Sequence, residues 1–279
     1  MSKLTKPAVS TAKKAESGQF SRIFAYLLIP ILLVVAYLLF QFVLGNPDNF
    51  ENGNPKGHPK PNNYFGMMYK GGTMVPILMA NFLLVMAVFV ERILTITAAS
   101  GKGSIPNFVK KVQSFLSGDN VSSAIAECDK QRGSVANVVK AGLEKYQEMA
   151  ITTEALDRDQ KVLAITKEIE EATSLELPML ERNLVILATI SSIATLLGLL
   201  GTVIGMIKAF SALATAGAPD AVALSSGISE ALINTALGIG TSAFAIIFYN
   251  FFTTRIDGMT YAIDEAGFSI AQTFAAKHK

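Results

Sequence analysis

The sequence predicts an all-α membrane protein with four transmembrane helices and a helical cytoplasmic domain. Of its 279 residues, 51% are hydrophobic and only 16% are charged, whereas a typical soluble domain has about 25% charged residues. Four uncharged stretches are each long enough to cross a bilayer, which takes about 20 apolar residues in a helix. None of the four alternates with a period of two, so helices are predicted rather than a barrel.

These stretches and their flanks divide the chain into nine segments. The first four are a cytoplasmic N-terminal segment (1–22), a transmembrane helix (23–44), a periplasmic loop (45–72) and the second transmembrane helix (73–97). The remaining five are a cytoplasmic helical domain (98–183), the third transmembrane helix (184–211), a periplasmic hairpin (212–229), the fourth transmembrane helix (230–254) and a cytoplasmic tail (255–279). Long helices are expected to extend from the membrane into the cytoplasm.

The first stretch is predicted to be a retained membrane anchor. Its apolar run exceeds the roughly 7–15 residues of the hydrophobic region of a signal peptide, and no small-x-small cleavage site ends it. The sequence Gly45-Asn46-Pro47 follows as a helix stop. A cleaved signal peptide is the alternative interpretation.

The distribution of Lys and Arg predicts that both termini are cytoplasmic. Segments 1–22, 98–182 and 255–279 hold five, eleven and three of these residues, whereas 45–72 holds three and 212–227 holds none. Even numbers of crossings separate the first three segments, so they lie on one side of the membrane. The positive-inside rule assigns that side to the cytoplasm.

The polar segments carry weaker signals. Prolines disfavour helix in the periplasmic loop, which is therefore predicted to be extended and mobile; they are Pro47, Pro55, Pro59 and Pro61. Asp119 is the predicted N-cap of a helix that begins near Asn120. From about Glu154, one helix is expected to run through Pro178 into the third crossing, because a proline would kink so long a helix rather than end it.

Small and hydroxyl-bearing residues form a seam along the third and fourth crossings. The seam residues recur at steps of three and four: Ser191, Thr195, Gly198, Thr202, Gly205 and Ala209 on the third, and Ala231, Asn234, Gly238, Thr241 and Ala245 on the fourth, with Ser242 and Thr235 beside them. Helix packing explains the glycines, because small residues let membrane helices approach closely; these are Gly198, Gly201, Gly205 and Gly238. The alternative is that the polar members line a pore and order a water chain, namely Thr195, Thr202, Asn234 and Thr235.

Charged residues border the later crossings without entering them. Glu230 lies in the predicted first turn of the fourth helix, where an acid compensates the helix dipole; a polar gate or proton-uptake group is the alternative. Lys208 is predicted to snorkel to the interface or to pair with Glu230, and Glu91-Arg92 to anchor the second helix. Proton-driven proteins usually place a titratable group within the membrane, but no Asp, Glu, His or Lys lies in the middle of any crossing. A proton-driven protein of this sequence would need that group from another chain.

Several functional classes are excluded by composition. The net charge of +2 and the lack of a basic block give no reason to expect nucleic-acid binding. Cys128 is the only cysteine, and His58 and His278 are the only histidines, so neither a disulfide scaffold nor a metal site is expected. No nucleophile–base pair or phosphate loop is present, so the chain is not expected to be an enzyme or to need a cofactor.

Two membrane motifs resemble those of ExbB and TolQ proteins. Residues 198–210 (GLLGTVIGMIKAF) are similar to the second-helix motif of that family, and residues 227–238 (GISEALINTALG) to its third-helix motif. Further matches are Tyr69-Lys70-Gly71-Gly72, Pro76, Glu91-Arg92 and Tyr249-Asn250. The resemblance extends from about Tyr69 to about Asp257. It does not cover residues 1–68, which add one crossing to the three of a usual ExbB protein.

The resemblance implies a proton-driven motor subunit in the bacterial inner membrane. ExbB-like proteins form a homo-oligomeric ring, typically a pentamer, around an ExbD-like single-helix protein that carries an aspartate within the membrane. The ring and its partner use the protonmotive force and pass work to a TonB-like protein that energises outer-membrane transport. Within the family, the pore-lining threonines and the glutamate correspond to Thr202, Thr235 and Glu230.

Other interpretations remain open at the level of sequence. Four crossings also resemble MotA-type stators, and TolQ-like or gliding motors share the same motifs. A passive membrane scaffold would use the glycine seam for assembly alone. A solute transporter is disfavoured because the sequence shows neither broken helices nor central charges.

Overall fold

A computed structural model describes residues 28–55, 57–152, 156–215 and 221–278. Within these residues the secondary structure is helical, apart from an isolated β-bridge between Phe50 and Pro59. The nine longer helices, numbered in chain order, are α1 (Leu28–Leu44), α2 (Tyr64–Tyr69), α3 (Val75–Ala99), α4 (Ile105–Ser117), α5 (Val121–Gln131), α6 (Gly133–Ile151), α7 (Arg158–Glu181), α8 (Leu184–Thr215) and α9 (Ala221–Lys277). The predicted all-α class is confirmed.

Among the described residues, three helical runs are long and apolar enough to cross a membrane. They are Gly72–Ala99, Arg158–Ala214 and Ala221–Lys277. The apolar helix α1 is shorter in the described residues, and residues 23–27 of the predicted first crossing lie outside them. The fold is therefore that of an all-α membrane protein with three such runs, and the fourth crossing stays a prediction.

The chain forms two compact units. The first contains the described residues up to Ala87 together with Ile190–Phe244, and the second contains Val88–Thr189 with the chain from Ala245 onward. Helices α3, α8 and α9 each contribute residues to both units. The polar seam of α8 and α9 described below lies in the first unit.

The loop between α1 and α3 is folded, so the prediction of an extended segment is wrong. Asn49 donates from Nδ2 to the carbonyl oxygens of Val43 (2.7 Å) and Leu44 (3.0 Å) and so satisfies the end of α1. Asn63 donates to Asn49 Oδ1 at 3.0 Å and caps α2 by accepting from Gly66 N. Prolines excluded a long helix here, but asparagine side chains supply the backbone with other partners.

Aromatic side chains give this loop a core of its own. Phe50 is fully buried. The Tyr69 ring stacks on Phe40 of α1 with centroids 4.6 Å apart and meets Phe50 edge-on at 5.5 Å. Lys70 donates to the Pro55 carbonyl at 3.1 Å, and its Nζ lies 5.7 Å above the Phe50 ring. These contacts join the end of α1 to the loop and to α2.

In the second unit, the prediction that Asp119 is the N-cap of α5 is wrong by one residue. Asn120 is the N-cap of α5 and accepts from Ser123 N, whereas Asp119 adopts a left-handed conformation (φ 59°). The Asp119 carboxylate instead pairs with Lys277 at 2.9 Å, and this cation lowers the pKa of Asp119. Lys277 also donates to the Leu116 carbonyl at 2.8 Å, which closes the end of α4 against the end of α9.

The predicted continuous helix into the third crossing is interrupted. Pro178 lies inside α7 without ending it, but α7 stops at Glu181 and α8 starts at Leu184. Asn183 is left-handed between them (φ 64°), a conformation that asparagine tolerates better than most residues. The predicted start at Glu154 lies outside the described residues.

Two charged residues of α3 stabilise the break between α7 and α8. Arg92 is only 1% exposed and donates to the Leu180 carbonyl at 3.0 Å. Its guanidinium also makes a bidentate pair with Glu91, which accepts a further hydrogen bond from Asn183 at 3.3 Å. Buried Arg92 thus caps the end of α7, and partly exposed Glu91 orients its guanidinium. The anchoring of α3 at the membrane interface by Glu91 and Arg92 stays a prediction.

Cys128 is expected to be inert toward thiol reagents in the folded protein. It is 2% exposed on α5, and burial raises the pKa of its thiol to about 12. Because the thiolate is the nucleophile, alkylation at pH 8 should be about a thousandfold slower than for an ordinary cysteine. Maleimide labelling followed by intact mass, with and without denaturant, measures this.

A matched control moves the thiol by two turns on the same helix. In the variant Cys128→Ser/Ser122→Cys the thiol lies at an exposed position and should label at the ordinary rate without denaturant. Rapid labelling of native wild-type protein would contradict the burial of Cys128.

Candidate functional site

Helices α8 and α9 approach each other to backbone contact along the glycine seam. A Cβ added to Gly238 would lie 2.6 Å from the Ala194 carbonyl oxygen and 2.7 Å from Gly198 Cα. One added to Gly205 would lie 2.7 Å from Ala231 N. Distances under 3.0 Å to backbone atoms cannot be relieved by moving a side chain, so these positions need glycine. Gly198, Gly205 and Gly238 therefore lie where the sequence predicted close packing.

Gly227 belongs to the same contact, although the sequence assigned it no packing role. A Cβ on Gly227 would lie 2.8 Å from Ala209 and from the Gly205 carbonyl. The signal was available, because Gly227, Ala231, Asn234 and Gly238 continue one seam at steps of four, three and four. It was missed because α9 was expected to start later, at residue 230.

The two central threonines of the seam face each other. The Oγ1 atoms of Thr202 and Thr235 are directly hydrogen bonded. Both are half-buried, and both lie within reach of the Gly198 carbonyl, at 3.3 Å and 3.4 Å respectively. Thr202 Oγ1 is also 3.4 Å from the Ala231 carbonyl. A hydroxyl donates one hydrogen bond and accepts others, so this pair can pass a proton between α8 and α9 when a donor reaches it.

The other seam hydroxyls are arranged differently. Ser242 donates to the carbonyl of Ser191 and so ties α9 to α8 two turns from the threonine pair. Thr195 is exposed on α8, two turns before Thr202. The structure therefore brings Thr202 and Thr235 together and leaves Thr195 apart from them.

Glu230 is a buried carboxylate in an ion pair. It is 8% exposed, and its Oε1 lies 2.5 Å from Nζ of Lys208, whose side chain is half exposed. Helix α9 begins at Ala221, so Glu230 lies in its third turn. The prediction that Glu230 compensates the dipole in a first helical turn is therefore wrong, since that effect fades beyond the first turn. The structure instead shows the pairing that was the alternative for Lys208.

Asn234 lies one turn further along α9 and is fully buried. Its amide packs over Gly201, where an added Cβ would lie 2.8 Å from Asn234 Cγ. Asn234 Nδ2 donates to the Gly71 carbonyl at 2.9 Å, whereas Oδ1 has no hydrogen-bond partner among the described residues. Asn234 thus connects the seam to the loop before α3.

No group of three or more His, Cys, Asp or Glu side chains is placed to hold a metal ion in the part of the chain that the structure describes. The chemistry of the seam therefore comes from hydroxyls, one buried amide and one ion pair. Gly71 and Gly72 complete this set through their contacts with Asn234 and Glu230. The sequence placed them only at the end of the predicted periplasmic loop, because a glycine pair does not indicate which distant residues it contacts.

Comparison with known proteins identifies the class. Residues 130–265 match the MotA/TolQ/ExbB proton channel family. This range contains α6 to α8 and most of α9, including the whole of the glycine and threonine seam. The chain is therefore similar to that family over just under half of its length.

Several relatives have ExbB or TolQ names. The ExbB-like 3 biopolymer transport protein of Synechocystis sp. is 40% identical over 86 residues, which cover 30% of this chain and 41% of the relative. The Tol-Pal system protein TolQ of Pseudomonas aeruginosa is 33% identical over 121 residues, covering 43% and 52%. An ExbB homologue of Methanothermobacter thermautotrophicus is 27% identical over 200 residues, covering 70% and 66%.

The resemblance inferred from the two membrane motifs is confirmed, and the chain is an ExbB/TolQ-like protein. The family and the apolar helices together indicate a protein of the bacterial inner membrane. The matched regions span about two-fifths to two-thirds of these three relatives.

Proposed function

We propose that the chain is an ExbB-like subunit of an inner-membrane motor driven by the protonmotive force. The observation that carries the proposal is the hydrogen-bonded pair Thr202–Thr235, which lies on the polar seam of two helices whose segments 184–207 and 231–254 contain no charged residue. The pair provides groups that accept and release a proton without a fixed charge in the membrane.

The titrating group is proposed to come from a partner. No Asp, Glu, His or Lys occurs in residues 184–207 or 231–254, so the seam cannot itself carry a proton as a changed charge. An ExbD-like single-helix protein with an aspartate in its membrane segment supplies that carboxyl. One charge crossing 100 mV releases about 2.3 kcal/mol, which is enough to drive a modest conformational step if uncoupled leakage is blocked.

The assembly is proposed to be a homo-oligomeric ring, most simply a pentamer, around the partner helices. The ring would pass work to a TonB-like protein and so energise TonB-dependent outer-membrane transport. The positive-inside rule supports a cytoplasmic location for both termini, for the region between α3 and α8 and for the end of α9. The chain has no catalytic role in this proposal.

A TolQ-like role is the second candidate, because TolQ of Pseudomonas aeruginosa matches over about half of its length. Both candidates use the same seam. They differ in which phenotype follows loss of the gene: failure of TonB-dependent uptake or a defect of the envelope. Deletion and complementation with the wild-type chain distinguish them.

Removing both seam hydroxyls should abolish proton-driven activity. Valine is close to threonine in shape but lacks the hydroxyl, so Thr202→Val/Thr235→Val keeps the packing and removes the relay. Activity measured as uncoupler-sensitive transport in a deletion strain should fall to background, while the purified assembly keeps its size.

The control is Thr189→Val, which removes an exposed hydroxyl that bonds only within α8, to the Val185 carbonyl at 2.7 Å. This variant should retain transport. Full transport in the double variant would refute the relay, and activity that persists with an uncoupler in wild-type cells would favour a passive scaffold.

A further inference from the structure

The loop that precedes α3 touches the seam at two adjacent glycines. The Gly71 carbonyl accepts the hydrogen bond from buried Asn234 at 2.9 Å. Gly72 follows in a left-handed conformation (φ 72°) and faces the Glu230 carboxylate. Residues 71 and 72 therefore contact both polar side chains at this end of α9.

Gly72 leaves the space that the carboxylate occupies. A Cβ at position 72 would lie 2.8 Å from Glu230 Cδ and closer still to Oε1. Any other residue at this position would push the carboxylate away or move the loop. Because Glu230 Oε1 is also the atom that pairs with Lys208, the position of the loop determines the geometry of the ion pair.

The glycine pair is itself held by α1. Tyr69, two residues before Gly71, stacks on Phe40 of α1. Phe40 and Leu44 of α1 form a buried cluster with Val75 at the start of α3, and Ile233 of α9 packs against the same cluster. A continuous set of contacts thus leads from α1 through the loop to the turn of α9 that carries Glu230 and Asn234.

We propose that Gly71 and Gly72 are positioning residues for Glu230 and Asn234, and that α1 and the folded loop brace them. The resemblance to ExbB did not cover α1. In this proposal, α1 fixes the loop that holds the carboxylate against Lys208. The mechanistic importance of this position rests on the proposed function, whereas the positioning itself is a property of the folded subunit.

The direct test is the reactivity of the Lys208 amine. In Gly72→Ala, the added methyl should displace the Glu230 carboxylate and release Lys208. Labelling with a water-soluble N-hydroxysuccinimide ester, measured by mass spectrometry on the detergent-purified full-length assembly, should rise about two- to fivefold, the range that corresponds to losing a partly exposed ion pair. The exposed Lys110 serves as the internal reference.

Gly53→Ala is the matched control for backbone strain. Gly53 lies in the same loop with a similar φ of 66°, but an added Cβ would meet only Pro47 at an ordinary 3.9 Å. A left-handed conformation costs alanine about 1–2 kcal/mol of folding free energy at either position. Gly53→Ala should therefore leave Lys208 labelling unchanged.

Shortening the acidic side chain at position 230 should relieve its steric contact with the methyl group added at position 72. In Gly72→Ala/Glu230→Asp, the carboxylate withdraws by one methylene, and Lys208 labelling should return to the value of Glu230→Asp alone. If Gly72→Ala fails to assemble, the double variant should restore the assembly.

Unchanged Lys208 labelling in Gly72→Ala, an equal rise in Gly53→Ala, or no rescue by Glu230→Asp would each overturn the positioning role. None of these readouts depends on transport. A negative result for the positioning role is therefore distinguishable from a negative result for the proton relay, which the threonine variants test.

Discussion

Gly238→Val is expected to prevent assembly of the folded protein. The first atom of the new side chain would lie 2.6 Å from the Ala194 carbonyl and 2.7 Å from Gly198 Cα. Overpacking a core costs typically about 1–3 kcal/mol when side chains can rearrange, and here both neighbours are backbone of α8. The two helices must therefore separate, which also breaks the Thr202–Thr235 contact. Size-exclusion chromatography of the detergent extract should show loss of the assembled peak.

Gly240→Val is the matched control two residues along the same helix. An added Cβ there meets nothing within 4 Å, and Gly240 borders an apolar cavity of about 440 Å³ formed with α2 and α3. Both substitutions change helix propensity equally, so only the contact differs. The control should assemble normally. Assembly of Gly238→Val at the wild-type yield would contradict the close packing of α8 on α9.

Arg92→Met is expected to cost about 1–3 kcal/mol of stability, because it leaves the buried Leu180 carbonyl without its hydrogen-bond donor. The Leu180 carbonyl loses its hydrogen bond, and the carboxylate of Glu91 loses its bidentate cation. Arg92→Lys should restore only part of this, because an ammonium cannot match the planar fork of the guanidinium. Denaturant unfolding monitored by circular dichroism measures the loss.

Arg255→Met is the control for loss of an arginine as such. Arg255 is exposed, and its guanidinium lies 5.5 Å from the Phe251 ring, a contact worth about 0.5–1 kcal/mol. A loss for Arg92→Met no larger than for Arg255→Met would show that the buried cap of α7 is not needed.

The membrane helices and the centre of the site were predictable from local pattern. Long uncharged stretches mark α3, α8 and α9, because a bilayer accepts little else. Thr202 and Thr235 were found because small and hydroxyl residues recur at helical steps, which places them on one face. Their direct hydrogen bond required the structure, since the relative rotation of two helices is not encoded in either sequence alone.

The errors arise where side-chain partners or helix starts, which an apolar pattern does not record, decide the structure. Asn49 folds the α1–α3 loop by donating hydrogen bonds to the last carbonyls of α1. The prolines of the loop do not indicate these hydrogen bonds. Arg92 caps α7 from 88 residues away, so the break after Glu181 was not foreseen. Glu230 was assigned to a first turn because its helix was expected to start nine residues later than Ala221, and apolar content alone does not mark a helix start.

The threonine pair also has a consequence for a subunit that has not yet met its proposed partner protein. A hydroxyl donates a single hydrogen, and each of these two already has an acceptor for it in the other hydroxyl or in the Gly198 carbonyl. Under the proposed function, an isolated subunit therefore offers the relay without the carboxyl that loads it. A cell that makes these subunits ahead of their companions is then expected to keep its membrane potential.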